Sequence, residues 1–117
     1  VVPRVTFVSP EVASVGMPEQ EAKAKFKKTL VGKYNIRALG RAVADHETHG
    51  LVKIVAHPKT RKILGCHILA KRAGEMIHEA ALAIYLRATV DQLGGMIHAY
   101  PTYSEALAAA ANSTELM

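Results

Sequence analysis

The segment Ile97–Leu107, IHAYPTYSEAL, carries the most distinctive pattern in the chain and runs into a stretch of alanines. Pro101 is typical of a loop. Thr102 and Glu105 have the spacing of a capping box, in which a hydroxyl and a carboxylate bind the free amides at the start of a helix. The pattern therefore predicts a loop up to Pro101, a capping box at Thr102 and Glu105, and a helix over Ser104–Ala111.

Strand patterns fill the first part of the chain. Short apolar runs bounded by proline, glycine or polar residues predict strands at Arg4–Val8, Val12–Val15, Leu30–Ile36, Leu51–Ala56 and Ile63–Leu69. A six-residue connection with a proline at a turn position separates the last two runs, so these runs are predicted to form a β-hairpin. The segment 40–50 is polar and is predicted to be a loop around a short piece at residues 41–44.

Helical patterns dominate the second part. Pro18 suits the first position of a helix that ends between Phe26 and Lys28, and acidic residues follow it where the helix dipole favours them. From Ala73 onward apolar residues recur with a helical period, and Thr89 with Gln92 forms another capping box. Strands followed by segregated helices predict an α+β fold, with an antiparallel β-sheet packed with helices.

The bulk properties bound the class of protein. A length of 117 residues indicates a single domain over 1–117. No apolar run is long enough to span a membrane, and no signal peptide is predicted. The net charge is +5, but few aromatic residues are interleaved with the basic ones. This favours a solvated surface over nucleic-acid binding. One cysteine, Cys66, fits a reducing compartment, and we expect a cytoplasmic location. A first residue Val1, without methionine, indicates a fragment of a longer protein.

Two alanine-rich stretches stand out, one at 80–83 and one at 106–111. Alanine has high helix propensity but little side chain to bury, so such a helix can approach another backbone closely. A small domain gains little by burying alanines internally. The pattern therefore predicts that these helical faces form a self-association surface.

Several motifs are absent or weak. The chain has no glycine-rich dinucleotide fingerprint and no paired cysteines, which argues against a stand-alone redox enzyme. His46 and His49 have a spacing that could bind a metal on a helix, but they lie in the polar loop. Cys66 and His67 are adjacent on a strand and face opposite ways, so no metal site is predicted. Tyr100 and Glu105 have a purely structural interpretation, as an aromatic plug and a capping residue, and from the residues alone this interpretation is favoured.

Four stretches in order nevertheless resemble the C-terminal dimerisation domain of the FAD-dependent pyridine nucleotide-disulfide oxidoreductases: Pro3–Gly16, Gly50–Leu69, Ala73–Leu93 and Ile97–Ala111. The resemblance implies a homodimer and a larger parent chain, whose N-terminal domains bind FAD and NAD(P)H while this fragment binds neither. It implies that Tyr100 and Glu105 are catalytic at the partner's active site. It also implies that His98, Tyr100 and Pro101 lie against the partner's FAD.

The residue before the Pro-Thr pair suggests a branch of this family. Lipoamide dehydrogenases and glutathione reductases have a histidine there that acts as a general acid and base, whereas this chain has Tyr100. A tyrosine at this place is similar to the mercuric reductase branch, although residues 114–117 lack that branch's cysteine pair. We therefore expect a mercuric-reductase-like parent of uncertain substrate. The alternatives are a dihydrolipoamide dehydrogenase-type domain or a stand-alone small binding protein.

Overall fold

The computed structural model describes all residues from 1 to 117. Six strands form one sheet: β1 Arg4–Thr6, β2 Glu11–Gly16, β3 Leu30–Asn35, β4 Leu51–Ala56, β5 Ile63–Ala70 and β6 Glu115–Leu116. Their spatial order is β1-β2-β5-β4-β3-β6, and every neighbouring pair is antiparallel. The helices are α1 Glu19–Phe26, α2 Gly40–Ala44, α3 Ala73–Tyr85, α4 Val90–Gly95 and α5 Glu105–Asn112, with a 3₁₀ turn at Ile36–Ala38. The predicted α+β class with an antiparallel sheet is confirmed.

The predicted elements are present with small shifts at their ends. The β4–β5 hairpin is observed with paired residues from Leu51 opposite Leu69 onward. The first strand ends at Thr6 rather than Val8, and β3 ends at Asn35, whose side chain accepts a hydrogen bond from the amide of Arg37 at 3.0 Å. The strand β6 was not predicted, because two exposed residues carry no alternating pattern.

The core lies on one face of the sheet. Side chains alternate along a strand, so the face formed by Val15, Ile54 and Cys66 is fully buried. Helix α3 covers β2 and β5, while α5 covers β3 and β4. No helix combines the length and the apolar character that crossing a bilayer requires.

The alanine-rich helices pack inside the domain rather than on its surface. Ala80, Ala106 and Ala110 are almost completely buried. For α5 the cause is glycine in the facing strand: a Cβ atom on Gly32 would lie 2.0 Å from the carbonyl oxygen of Ala110. The absence of that atom lets the backbone of α5 lie close against β3. The prediction of a self-association surface is therefore wrong for these three alanines, which are buried in their own domain, whereas Ala81, Ala108 and Ala109 are half-buried.

Helix α1 covers part of the opposite face of the sheet. Glu19 pairs there with Lys23 at 2.6 Å in the same helix and with Lys53 at 3.0 Å on β4. Hydrogen bonds from Lys23, and next from Lys53, lower the pKa of Glu19 from 4.5 to about 2. The ion pair with Lys53 thus ties the first turn of α1 to the central strands.

Replacing Glu19 by glutamine is expected to lower the free energy of unfolding at pH 7 by about 1–3 kcal/mol. The depressed pKa means that the carboxylate contributes stability above pH 4.5, and that this contribution disappears as the pH falls towards 2. Denaturant unfolding at a series of pH values should show the difference between wild type and Glu19→Gln shrinking over that range. A difference that stays constant with pH would contradict this account. Asp91→Asn, which breaks the exposed pair with Arg61, is the control and should change stability little.

Candidate functional site

The short helix α4 leads into the segment with the candidate residues, and its start is fixed as predicted. The amide of Thr89 donates to Gln92 at 2.8 Å, and the amide of Gln92 donates to the Thr89 hydroxyl at 3.1 Å. This capping box is therefore confirmed. Arg61 adds two bonds to Asp91 in the first turn, at 2.7 and 3.0 Å. Helix α4 is consequently held at its first turn, and the chain leaves it at Met96.

The turn before α5 differs in part from the prediction. The Thr102 amide donates to Glu105 Oε1 at 2.8 Å, which is one half of the predicted capping box. The other half is missing: the Thr102 hydroxyl accepts no bond from the Glu105 amide, and it donates to the carbonyl oxygen of Ala99 at 2.7 Å. The helix begins at Glu105 rather than Ser104. The predicted reciprocal box is therefore wrong, since the threonine hydroxyl closes the preceding loop instead.

Tyr100 and Glu105 lie on the same turn but face different surroundings. Tyr100 is 80% exposed, and its peptide bond to Pro101 is cis. The Tyr100 hydroxyl lies close to Gly40 at the start of α2. A Cβ atom placed on that glycine would be 3.6 Å from the hydroxyl oxygen. Glu105 is half-buried and holds the Thr102 amide through one carboxylate oxygen. The phenol is thus available to another molecule, while Glu105 orders the turn that carries it.

His98 lies inside this segment rather than on its outer surface. Its side chain is only 6% exposed, and Nε2 is 2.5 Å from Glu79 Oε2 on α3. Its Nδ1 is 3.1 Å from the carbonyl oxygen of Met96. Sequence reasoning did not pair these two residues. The only available signal was an acidic residue, Glu79, among the buried apolar positions of a helix.

A second cluster, absent from the sequence-based prediction, surrounds Tyr103. Its ring is buried, and its hydroxyl donates to Asp45 Oδ2 at 3.0 Å. Arg41 donates to the same oxygen at 2.9 Å. Burial is the larger of two causes that raise the pKa of Tyr103 to about 12, and the hydrogen bond to Asp45 is the second. The hydrogen bonds from Arg41 and, to a lesser extent, from Tyr103 lower the pKa of Asp45. Tyr103 therefore stays a neutral donor that fixes the start of α5 to the end of α2.

The other candidate groups are placed apart from this segment. His46 and His49 are exposed, and no three His, Cys, Asp or Glu side chains converge where they could hold a metal ion. Cys66 is buried, and this burial, followed by the charge of Glu79, raises the pKa of its thiol to about 12. A thiol with so high a pKa is protonated at neutral pH and packs as a small apolar side chain. His67 lies on the other face of β5, 3.2 Å from the Met17 carbonyl oxygen.

An exposed apolar surface adjoins the segment that carries Tyr100. Leu82 and Tyr85 at the end of α3, and Leu86 directly after it, recur at helical spacing and are exposed to solvent. Leu82 and Leu86 line a shallow apolar groove of about 210 Å³ together with Met96. Ile97, the next residue, is 95% exposed. We refer to Leu82, Tyr85, Leu86, Met96 and Ile97 as the α3 face. Exposed apolar side chains that line a groove in this way are typical of a surface that contacts another protein.

Comparison with known proteins identifies the family. Residues 2–111 match the family described as pyridine nucleotide-disulphide oxidoreductase, dimerisation domain. The mitochondrial dihydrolipoyl dehydrogenase of Pisum sativum is 47% identical over 113 residues, which are 97% of this chain and 23% of that protein. The leghemoglobin reductase of Glycine max is also 47% identical, over 97% of this chain and 22% of that protein. The dihydrolipoyl dehydrogenase of Bacillus subtilis (strain 168) is 46% identical over 94% of this chain and 23% of that protein. The chain thus spans less than a quarter of the length of these relatives.

Solved structures agree with the sequence matches. LpdA from Mycobacterium tuberculosis superposes with a TM-score of 0.88 at 30% identity, over 95% of this chain and 24% of that one. The HOCl-induced flavoprotein disulfide reductase RclA from Escherichia coli gives a TM-score of 0.90 at 27% identity, over 95% and 26% of the two chains. The predicted family and fold are confirmed, whereas the mercuric reductase branch stays a prediction. The chain belongs to the dimerisation-domain family of the pyridine nucleotide-disulphide oxidoreductases.

Proposed function

We propose that this domain joins two copies of a flavin-dependent parent enzyme, and that each copy places its Tyr100–Pro101 turn at the active site of the other. One observation carries the proposal: Met96 and Ile97 belong both to the exposed α3 face and to the segment that presents Tyr100. Pairing through this face would therefore bring Tyr100 to the partner. Most homodimers have two-fold symmetry, so both copies would donate the turn.

The cofactors of the parent would be FAD and NAD(P)H, bound outside these 117 residues. The family description supports this, and so does the similarity to RclA, which is a flavoprotein disulfide reductase. An exposed aromatic ring followed by an exposed proline, Tyr100 and Pro101, fits the edge of a flat ring system such as flavin. FAD would carry electrons between a nicotinamide and a disulfide. The third residue predicted to make this contact, His98, has its imidazole turned to Glu79, so it would act through the backbone of the turn.

Within the site, Tyr100 would contact the reacting dithiol or metal ion, and Glu105 would hold the turn. A dithiol of the dihydrolipoamide class is the substrate that the named relatives support best. Tyr100 itself favours a second candidate, Hg(II), through its resemblance to the mercuric reductase branch. Turnover measured with dihydrolipoamide and with Hg(II) on the parent enzyme separates the two.

A reducing compartment, with the cytoplasm as first choice, is part of this proposal. The one thiol of the chain, Cys66, is unpaired and buried, which suits such a compartment. The relative from Pisum sativum is named as mitochondrial, and the mitochondrion is the alternative. Cell fractionation with an antibody against the domain distinguishes these locations.

The double substitution Leu82→Asp and Leu86→Asp is expected to convert a dimer into a monomer. Each copy would then carry two carboxylates in the α3 face, and pairing would have to remove them from water. This cost should raise the dissociation constant by about a hundredfold or more. Sedimentation of the 117-residue chain measures this, and circular dichroism checks that the fold is kept.

Val43→Asp provides the matched control, because Val43 is an equally exposed apolar residue on α2. This variant should stay dimeric. A wild-type chain that sediments as a monomer at high concentration would overturn the proposed dimerisation, and a double variant that stays dimeric would place the interface elsewhere.

A further inference from the structure

The turn that presents Tyr100 has one hydrogen bond to the rest of the domain. Residues 97–101 have two other side-chain bonds, from His98 to Met96 and from Thr102 to Ala99. Both join residues that are close in the chain. The bond from His98 to Glu79 alone reaches another element, α3. Ile97 and Tyr100 are largely exposed, so packing holds this segment weakly. The position of Tyr100 therefore depends on the contact between His98 and Glu79 at one end of the turn and on the bonds of Thr102 to Ala99 and Glu105 at the other.

Both ring nitrogens of His98 face an oxygen acceptor. Nε2 faces the Glu79 carboxylate at 2.5 Å, and Nδ1 faces the Met96 carbonyl oxygen at 3.1 Å. A ring N–H that donates to a carboxylate forms a strong, directional hydrogen bond. Since the His98 side chain is 6% exposed, water competes little for this bond.

Glu79 connects this bond to the proposed dimer contact. It lies on α3 between the buried residues Ile77 and Ala80, which anchor the helix to the core. It also lines the groove that Leu82 and Leu86 form on the α3 face. The same helix therefore carries the apolar residues of the proposed contact and the carboxylate that holds the turn.

We propose that His98 and Glu79 form a positioning pair, which fixes the Tyr100–Pro101 turn to α3 and so sets where Tyr100 stands at the partner's active site. This inference rests on the proposed function, and it assigns the pair no contact with the substrate. Its effect is geometric, because a small displacement of a reacting group can cost much of the rate.

The test uses the full-length parent enzyme isolated with its flavin. Glu79→Gln keeps the shape of the side chain and removes its charge. We expect kcat for dihydrolipoamide, or for Hg(II) if that is the working substrate, to fall about ten- to a hundredfold with little change in KM. Flavin content and dimer mass should stay the same. Asp91→Asn, which breaks the ion pair between Arg61 and Asp91, is the control and should leave kcat unchanged.

A double-variant comparison separates positioning from general damage. If the pair acts through Tyr100, Glu79→Gln should cost little further rate in an enzyme that already carries Tyr100→Phe. A loss that persists in that background would show a structural effect and overturn the proposal.

Hydrogen exchange gives a measurement that does not depend on the chemistry. The Thr102 amide, which donates to Glu105, should exchange faster in Glu79→Gln, because the tether to α3 is weaker. Unchanged exchange together with unchanged kcat overturns the positioning pair. If Tyr100→Phe alone leaves kcat unchanged, the proposed role of Tyr100 fails, and faster exchange in Glu79→Gln would still support the tether.

Discussion

Replacing Tyr100 by histidine is expected to raise the turnover of dihydrolipoamide by the parent enzyme at least about tenfold near pH 7. A phenol has an ordinary pKa of about 10 and an imidazole of about 6.5. Imidazole therefore exchanges protons far more readily at neutral pH. The turn offers the new side chain a partner, since Glu105 uses only one carboxylate oxygen, on the Thr102 amide. Steady-state assays with dihydrolipoamide and NAD⁺ measure the effect.

Tyr100→Phe is the matched control, because it removes the hydroxyl without adding a proton carrier. This variant should show no gain. Adding Glu105→Gln to Tyr100→His should cancel the gain, since the carboxylate orders the turn. An equal rise in the phenylalanine variant would show that the hydroxyl merely obstructs the substrate. No rise in the histidine variant would contradict the proposed place of this residue in the active site.

Replacing Gly32 by alanine is expected to lower the free energy of unfolding by about 1–3 kcal/mol. The added Cβ would lie 2.0 Å from the Ala110 carbonyl oxygen and 2.9 Å from Thr114 Cγ2, so α5 must move away from β3. The nearest of these contacts is with backbone, which cannot rotate out of the way as a side chain can. Thermal and denaturant unfolding measure the change. Because α5 begins at Glu105, the displacement should also reduce turnover in the parent enzyme.

Gly95→Ala serves as the control for this substitution. A Cβ atom on Gly95 would meet nothing within 4 Å, so the variant should be as stable as the wild type or slightly more so. Equal stability of Gly32→Ala and the wild type would mean that α5 can shift on the sheet without loss. The close packing of the two backbones would then have little energetic importance.

Local patterns predicted most of the fold because each of them depends on neighbouring residues. The hairpin of β4 and β5 follows from two apolar runs and a turn, and the capping box at Thr89 follows from a spacing of three residues. The same reasoning was wrong at Thr102. Its hydroxyl donates to the Ala99 carbonyl oxygen in the loop and accepts no bond from the Glu105 amide, and a spacing rule does not reveal this difference.

The candidate site shows the same division. Tyr100 and Glu105 could be named from the sequence because they lie in one short motif. The contact between His98 and Glu79 joins residues separated by 19 positions, and the contact between Tyr103 and Asp45 spans 58. Neither pair has a sequence pattern that links its members, so both were missed.

The sequence by itself determined the α+β class, the antiparallel hairpin, the family and the turn that carries Tyr100, because periodicity, capping and motifs are properties of adjacent residues. Only the tertiary structure decided which helical face stays exposed. The alanines of α5 are buried because Gly32 on a distant strand leaves room for their backbone. The exposed apolar groove of Leu82, Leu86 and Met96 likewise depends on how α3 and α4 pack together, which no local pattern determines.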